Sequence, residues 1–323
     1  MVMARRDYSQ KTFADTLMDA GGRRRPRLER LGQMLSLLDW ERIDRLLDGI
    51  SAEHGGGRGY PPLCMLKALL LAQWYNLSDP ALEDAVADRL SFRRFCGFPM
   101  DAETPDETSF VRFRAKLREL GLYERLFAEV NRQLDAKGLI VRAGTLVDAT
   151  VIEARAKPPR AKEGEVSAVD PDAGFTKKHG KSHFGFKMHI GMDECSELIR
   201  TVETSSADLH DGEAFGALVS GDEGKVYGDK AYGSTKNREF LERLGIDDAL
   251  MYKAARGNPL KPWQEWFNKA VSGVRSGVER VFGTGKTGYG LGKTRYFGEE
   301  RVHADHLTFA MAYNLRRAVS LTG

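Results

Sequence analysis

The feature that most restricts this chain is a change of hydrophobic period at Gly138. Before it, apolar residues recur three and four apart, as in Leu28, Leu31, Leu35, Leu38 and then Ile43, Leu46, Leu47, the spacing of helices with one buried face. After it, GLIVRAGTLVDATVIEA carries β-branched runs and alternation, the pattern of strands. A chain that switches period in this way is neither a helical bundle nor a β-sandwich throughout. It reads as α+β, an all-helical domain over residues 1–138 followed by a mixed α/β domain over 139–323, and 323 residues suffice for two modest cores.

Punctuation within the helical part is explicit. Tyr60-Pro61-Pro62 opens a helix through Leu63, Leu66, Leu69, Leu70 and Trp74. Asn76 and Ser78-Asp79-Pro80 stop it and cap the next, whose apolar positions are Leu82, Val86 and Leu90. Thr104-Pro105-Asp106-Glu107 fits a capping box with Pro at the first helical position, ahead of SFVRFRAKLREL.

In the second domain LVDATV reads as the first strand. Residues 155–182, rich in Pro, Lys, Gly and Ala, read as a long flexible loop after it. HFGFKMHIGMD then puts Phe184, Phe186, Met188 and Ile190 on one side of a strand and His183, Lys187 and His189 on the other. ELIRTVET follows a GMDECS turn as a third strand. A helix in HDGEAFGALVS, a strand GKVYGD, a helix over about 237–244, a strand DALMYK and a long helix from Pro262 complete a mixed pattern.

Composition narrows the function classes. Hydrophobic residues make up 41% and charged residues 29%, the balance of a folded globular protein. The apolar run LKALLLAQWY contains Lys and Gln and is too short to span a bilayer, and MVMARRDYSQ lacks the apolar stretch of a signal peptide. Cys64, Cys96 and Cys195 show no paired spacing. A cytoplasmic protein without a membrane partner or a cysteine-based zinc site is expected. The net charge is only +3, yet basic residues cluster at GGRRRPRLER, at Arg93 and Arg94, from Arg112 to Arg118, and at Lys177, Lys178 and Lys181. Such patches suit a phosphate backbone or ordinary solvated helix faces.

Three acids demand a reason. Asp148 stands in a strand apolar on both sides, where a carboxylate is costly unless a cation neutralises it. Asp229 ends the strand KVYGD, at the kind of edge where α/β domains hold their sites. Glu279 lies on FNKAVSGVRSGVERVFG, where a helical wheel groups Val271, Val274, Val278, Val281 and Phe282 on one face and sets Ser272, Arg275 and Glu279 on its border. Lys286 joins that border if the helix runs on through Gly283 and Gly285, two residues that argue for an end. Oxygen donors without His or Cys at metal spacing favour Mg²⁺ or Mn²⁺, and two such ions about 4 Å apart suit phosphodiester chemistry.

Taken together, these segments resemble the DDE transposases of the IS5 family of insertion sequences, which share a ribonuclease-H-like catalytic core. LCMLKALLLAQWYNLSDPALEDAVADRLSFRRFCGF and DETSFVRFR resemble that family's N-terminal domain, TLVDATVIEA its first acidic motif, HFGFKMHIGMD the following strand and VYGDKAYGS the second acidic motif. The third motif is Tyr, two residues, Arg, three residues, Glu, six residues, Lys; Arg275, Glu279 and Lys286 keep that spacing, and Ser272 stands where the Tyr would be. The resemblance implies that Asp148, Asp229 and Glu279 are the catalytic, metal-binding acids, with two Mg²⁺ or Mn²⁺ ions, and that Arg275 and Lys286 contact DNA phosphates. It further implies double-stranded DNA partners (terminal inverted repeats and target DNA), a DNA-binding and dimerising N-terminal domain, a homodimer or larger assembly on DNA, and no nucleotide cofactor. Cleavage at the element ends and transfer of the 3′-OH ends to target DNA would follow, with the protein associated with the nucleoid when bound. An inactive end-binding repressor and a ribonuclease-H-like nuclease are the rival readings.

GTGKTGYGLG imitates a nucleotide loop, but it follows a helix, and the P-loop pattern requires a Gly where Arg280 stands. It reads instead as a flexible Gly-rich stretch presenting Lys286 and Lys293 to DNA. Lys187, Arg280, Arg112 and Arg114, with Arg93, are further candidate DNA contacts. His183 and His210-Asp211 line the catalytic face or are plain strand and loop residues. Trp263 and Trp266 read as core, with stacking on an exposed base as the alternative.

Overall fold

The structure, a computed structural model, describes residues 26–50, 59–157, 167–178 and 180–322. Two compact units emerge, one built from residues up to Leu134 together with those from Ala318 onward, the other from Asp135–Arg317.

The first unit is helical: α1 (Pro26–Leu37), α2 (Trp40–Leu46), α3 (Pro62–Tyr75), α4 (Asp79–Asp88), α5 (Leu90–Cys96), α6 (Glu107–Glu119) and α7 (Leu122–Ala136). Pro62 supplies the preset φ of a first turn. Asn76, left-handed at φ 50°, closes α3, and Ser78 caps α4 by accepting from the Ala81 N–H. α3 is buried on nearly every side and contacts α2, α4, α5 and α6, which makes it the centre of this core. The cap of α6 is Asp106, not Thr104: its carboxylate accepts from the Ser109 N–H at 2.7 Å, so Pro105 precedes the cap instead of opening the helix. That carboxyl is held below its ordinary range by the Ser109 hydrogen bonds.

The second unit is built on one six-stranded sheet: β1 (Thr145–Glu153), β2 (Gly174–Lys178), β3 (Lys181–Asp193), β4 (Ile199–Ser206), β5 (Lys225–Gly228) and β6 (Asp247–Leu250). β3 pairs antiparallel with β1 on one side and with β2 and β4 on the other. β1 pairs parallel with β5, and β5 parallel with β6. A three-strand antiparallel meander continued by two parallel strands beyond its first strand is the ribonuclease-H-like arrangement. The helices are α8 (Phe215–Leu218), α9 (Thr235–Leu244), α10 (Pro262–Gly288) and α11 (Glu299–Thr322). Val147, Phe215, Leu218, Val226, Tyr232 and Leu250 form a fully buried cluster under β1 and β5.

Several sequence expectations are revised. Residues 155–182 are not one long loop, because β2 pairs with the start of β3 over Gly174–Lys178. Ahead of it, Asp170 and Asp172 accept from the N–H groups of Gly298 and Glu299 at 3.0 Å, capping α11. Residues 158–166 and 179 of that expected loop lie outside the described residues. The polar side of β3 is covered as well as the apolar one, since Lys187 is 9% and His189 0% exposed. The Gly-rich segment is helical: α10 runs through Gly283 and Gly285 to Gly288.

Candidate active site

Asp148 lies midway along β1, opposite Ile190 of β3. On its other side β5 runs parallel, with Thr145 opposite Val226 and Leu146 opposite Tyr227. Continued by two residues, that register brings Asp229 level with Asp148 on the neighbouring strand. Gly228 permits the close approach, since a Cβ there would stand 2.7 Å from Leu250 and 3.1 Å from Val147. Past it, the Asp229 carboxylate accepts from the Ala231 N–H at 2.8 Å and so turns the chain.

The third acid comes from α10, which packs against β1 and β5. Val271, Val278, Val281 and Phe282 are its buried residues on that side. Gly277 meets Met192 of β3 with no room to spare, a Cβ there standing 3.0 Å from the thioether methyl. One turn apart on the flank of the buried stripe lie Arg275 and Glu279, and because the helix continues, Lys286 follows on the same flank. Asp148, Asp229, Glu279, Arg275 and Lys286 all line one open cleft of about 380 Å³.

The electrostatics of the cleft are uneven. Burial raises the Asp148 carboxyl to about 6, partly countered by Arg275 and the Ala149 N–H and reinforced by Asp229. Arg275 Nη2 stands 2.9 Å from one Asp148 oxygen, while the other accepts from the Ala149 N–H at 2.9 Å. Lys286 is pushed below its ordinary value by burial and by the charge of Lys178. Tyr232, folded beneath the Asp229 turn, has a fully buried hydroxyl with no hydrogen-bond partner among the described residues. Burial and the nearby Asp148, Asp211 and Asp229 drive its pKa well upward.

Other sequence candidates stand elsewhere. Lys187 donates to the Leu209 carbonyl at 2.6 Å and pairs with Asp211 at 2.8 Å. Arg280 bonds Glu197 on the far side of α10, and Lys293 is exposed, next to the end of β1 through a bridge to Glu153. Within the helical unit Arg112 is exposed, Arg114 pairs with Asp79, and Arg93 donates to the carbonyls of Pro99, Met100 and Ala102. His183 stands 2.8 Å from Glu153, and His210 accepts from the Gly212 N–H. Trp263 and Trp266 are not core residues: they are 52% and 72% exposed, and Trp263 packs edge-on against Tyr252.

Lys178 is a cleft residue that sequence reasoning does not single out. It lines the same cleft as the acids, but it sits in the segment that reads as loop, so only the pairing of β2 with β3 brings it there. Its membership of the Lys177, Lys178, Lys181 cluster is the one signal the sequence offers.

Among the described residues no three His, Cys, Asp or Glu side chains are grouped closely enough to hold a metal ion by themselves. The donor set still fits a hard divalent cation, because Mg²⁺ takes one or two carboxylates and completes its shell with water and substrate phosphate. Asp148 and Asp229, level on adjacent strands, are two carboxylates of the kind such an ion takes. Burial of Asp148 beside a second carboxylate also leaves negative charge that Arg275 alone only partly offsets.

Residues 141–315 match the family model described as "Transposase DDE domain", and residues 21–116 match "Transposase domain (DUF772)". Among solved structures, one titled "Crystal structure of a pre-cleavage Mos1 transpososome" aligns over 96% of this chain and 92% of that chain, at 10% identity and a TM-score of 0.21, too low to relate the two folds. Among the described residues no helix is long and apolar enough to cross a membrane. With the match to the DDE domain covering more than half of its length, the chain belongs to the DDE transposase family.

Proposed function

We propose that this protein is a transposase of the IS5 type that binds the terminal inverted repeats of its own element, cuts at the element ends and joins the freed 3′-OH ends to target DNA. The observation that carries this reading is the cleft in which Asp148 of β1, Asp229 beyond β5 and Glu279 of α10 converge with Arg275 and Lys286. Acids from three elements well separated in sequence have no shared structural duty there, and the two cations beside them suit a phosphodiester.

Asp148 and Asp229 would hold the divalent ion, Mg²⁺ or Mn²⁺, with Glu279 facing them as a further ligand or as the acceptor of a proton from attacking water. When bound, the ion supplies activation of the nucleophile and stabilisation of the leaving oxygen. Arg275 pairs with Asp148 and offsets part of its charge. Lys286, exposed on the same helix flank, offers its ammonium to a non-bridging phosphate oxygen. Strand transfer exchanges one phosphodiester for another: the 3′-OH oxygen forms a new P–O bond as the target strand's 3′ oxygen leaves and takes up a proton. No nucleotide cofactor is required for that exchange. The cytoplasm, at the nucleoid, is the compartment that fits such a substrate.

The test is joining of labelled element ends to a target plasmid in Mg²⁺. Joined products support the transposase reading. Hydrolysis without joining would assign a nuclease, and end binding without either would assign a repressor. In the same binding assay Lys286→Ala should reduce the slope of log affinity against log salt by about 0.9, the value of one phosphate contact; an unchanged slope removes Lys286 from the DNA.

A further inference from the structure

The cleft has a third cation that does not come from the helix carrying Arg275 and Lys286. Lys178 ends β2, and it pairs with Lys181 at the start of β3. Just before β3, Gly180 takes the left-handed conformation at φ +75°. Lys178 is exposed at this hairpin tip yet lines the cleft with the three acids.

The base of the hairpin is anchored. Phe184 is buried in a cluster with Phe186, Ala173, Ala154 and Val302, and Phe175 of β2 packs against that cluster. The Phe175 and Phe184 rings lie 4.8 Å apart. At the foot of β2, a Cβ on Gly174 would stand 2.3 Å from side-chain oxygens of Ser206 and Asp208, which would have to move aside. A basic tip on an apolar, glycine-fitted base is a positioned element, not a loose loop.

From this arrangement we infer that the β2–β3 hairpin is a finger for the DNA strand being cut, and that Lys178 of β2 and Lys286 of α10 hold one stretch of its phosphate backbone at the acids. The inference rests on the transposase reading and adds a substrate contact to it. Two ammonium groups line one cleft, and the charge of Lys178 helps lower the pKa of Lys286. A phosphodiester between the two lysines satisfies both, and lysine, a flexible point charge, tolerates the movement of a strand through successive steps.

The experiment uses full-length protein and a labelled duplex from the gene's native flank, with affinity measured over a range of salt. Lys178→Gln should bind about tenfold more weakly at low salt and lose about 0.9 from the salt slope. Lys178→Arg should restore both. Lys236→Gln, an exposed lysine on α9, should match wild type, and unfolding midpoints should coincide throughout. A wild-type slope in Lys178→Gln overturns the inference, as does a lost slope that arginine fails to restore. Failure of the transposase reading is read separately, as absence of Mg²⁺-dependent breaks in the wild-type reaction.

Discussion

A carboxylate on a central strand with covered faces must be charged against a cation or protonated, and Asp148 is set between those states by Arg275 and burial. Its pKa is near 3.8 in the unfolded chain and about 6 in the cleft. The native state therefore binds this proton more tightly, and the stability it confers is present below the unfolded value and lost as pH rises through the folded one. In metal-free protein, the unfolding free energy of wild type relative to Asp148→Asn should fall by about 2 kcal/mol between pH 4 and pH 7. Urea titrations at several pH values check this; a difference independent of pH would show that Asp148 titrates normally. At this scale the acids are legible because each breaks a local pattern, Asp148 by interrupting an apolar strand and Asp229 by ending one. Tyr232 and Lys178 are not, since a tyrosine in a turn and a lysine in a basic run break no pattern; their roles arise from the fold around them.

Among the elements, α10 decides whether the third motif works as a unit. Gly283, Gly285 and Gly288 suggest an end on propensity alone, but packing overrides it: at Gly285 a Cβ would stand 2.7 Å from Leu291 and 2.9 Å from Phe309. Glycine is there for the close approach of the following segments, and the helix needs to continue so that Lys286 falls in line with Glu279. Gly273, by contrast, has open space around it, with nothing within 4 Å of where a Cβ would stand. Gly273→Ala should raise stability by about 0.5–1 kcal/mol through helix propensity, and Gly285→Ala should lower it by about 1–3 kcal/mol through overpacking. Thermal or denaturant unfolding of the two variants separates them, and equal effects would contradict this account of the glycines. The β2 hairpin illustrates the complementary failure of sequence reading. Five residues with two adjacent lysines carry too little hydrophobic pattern to announce a strand, and only the partner strand β3 supplies it.

At the scale of the whole molecule, the change of period at Gly138 does foretell a helical unit followed by a sheet-based one, because period reports directly on burial geometry. The exact division does not follow from it: the break falls after Leu134, and the last turn of α11 groups with the helical unit. A net charge of +3 leaves no general attraction for a polyanion, so DNA affinity has to come from local arrays of cations, and the array at the acidic cleft joins lysines and an arginine from two separate elements. The central claim is that three acids distant in sequence form one phosphodiester-cutting centre. Its most direct test incubates DNA spanning the gene and its native flanks with wild type, Asp148→Ala, Asp229→Ala and Glu279→Ala, each with Mg²⁺ and with EDTA, while binding is followed in parallel. The account predicts Mg²⁺-dependent breaks at discrete positions for wild type only, with cleavage falling at least about a thousandfold in every variant and DNA binding retained. Cleavage that survives loss of any one of the three acids, or that proceeds in EDTA, would contradict it.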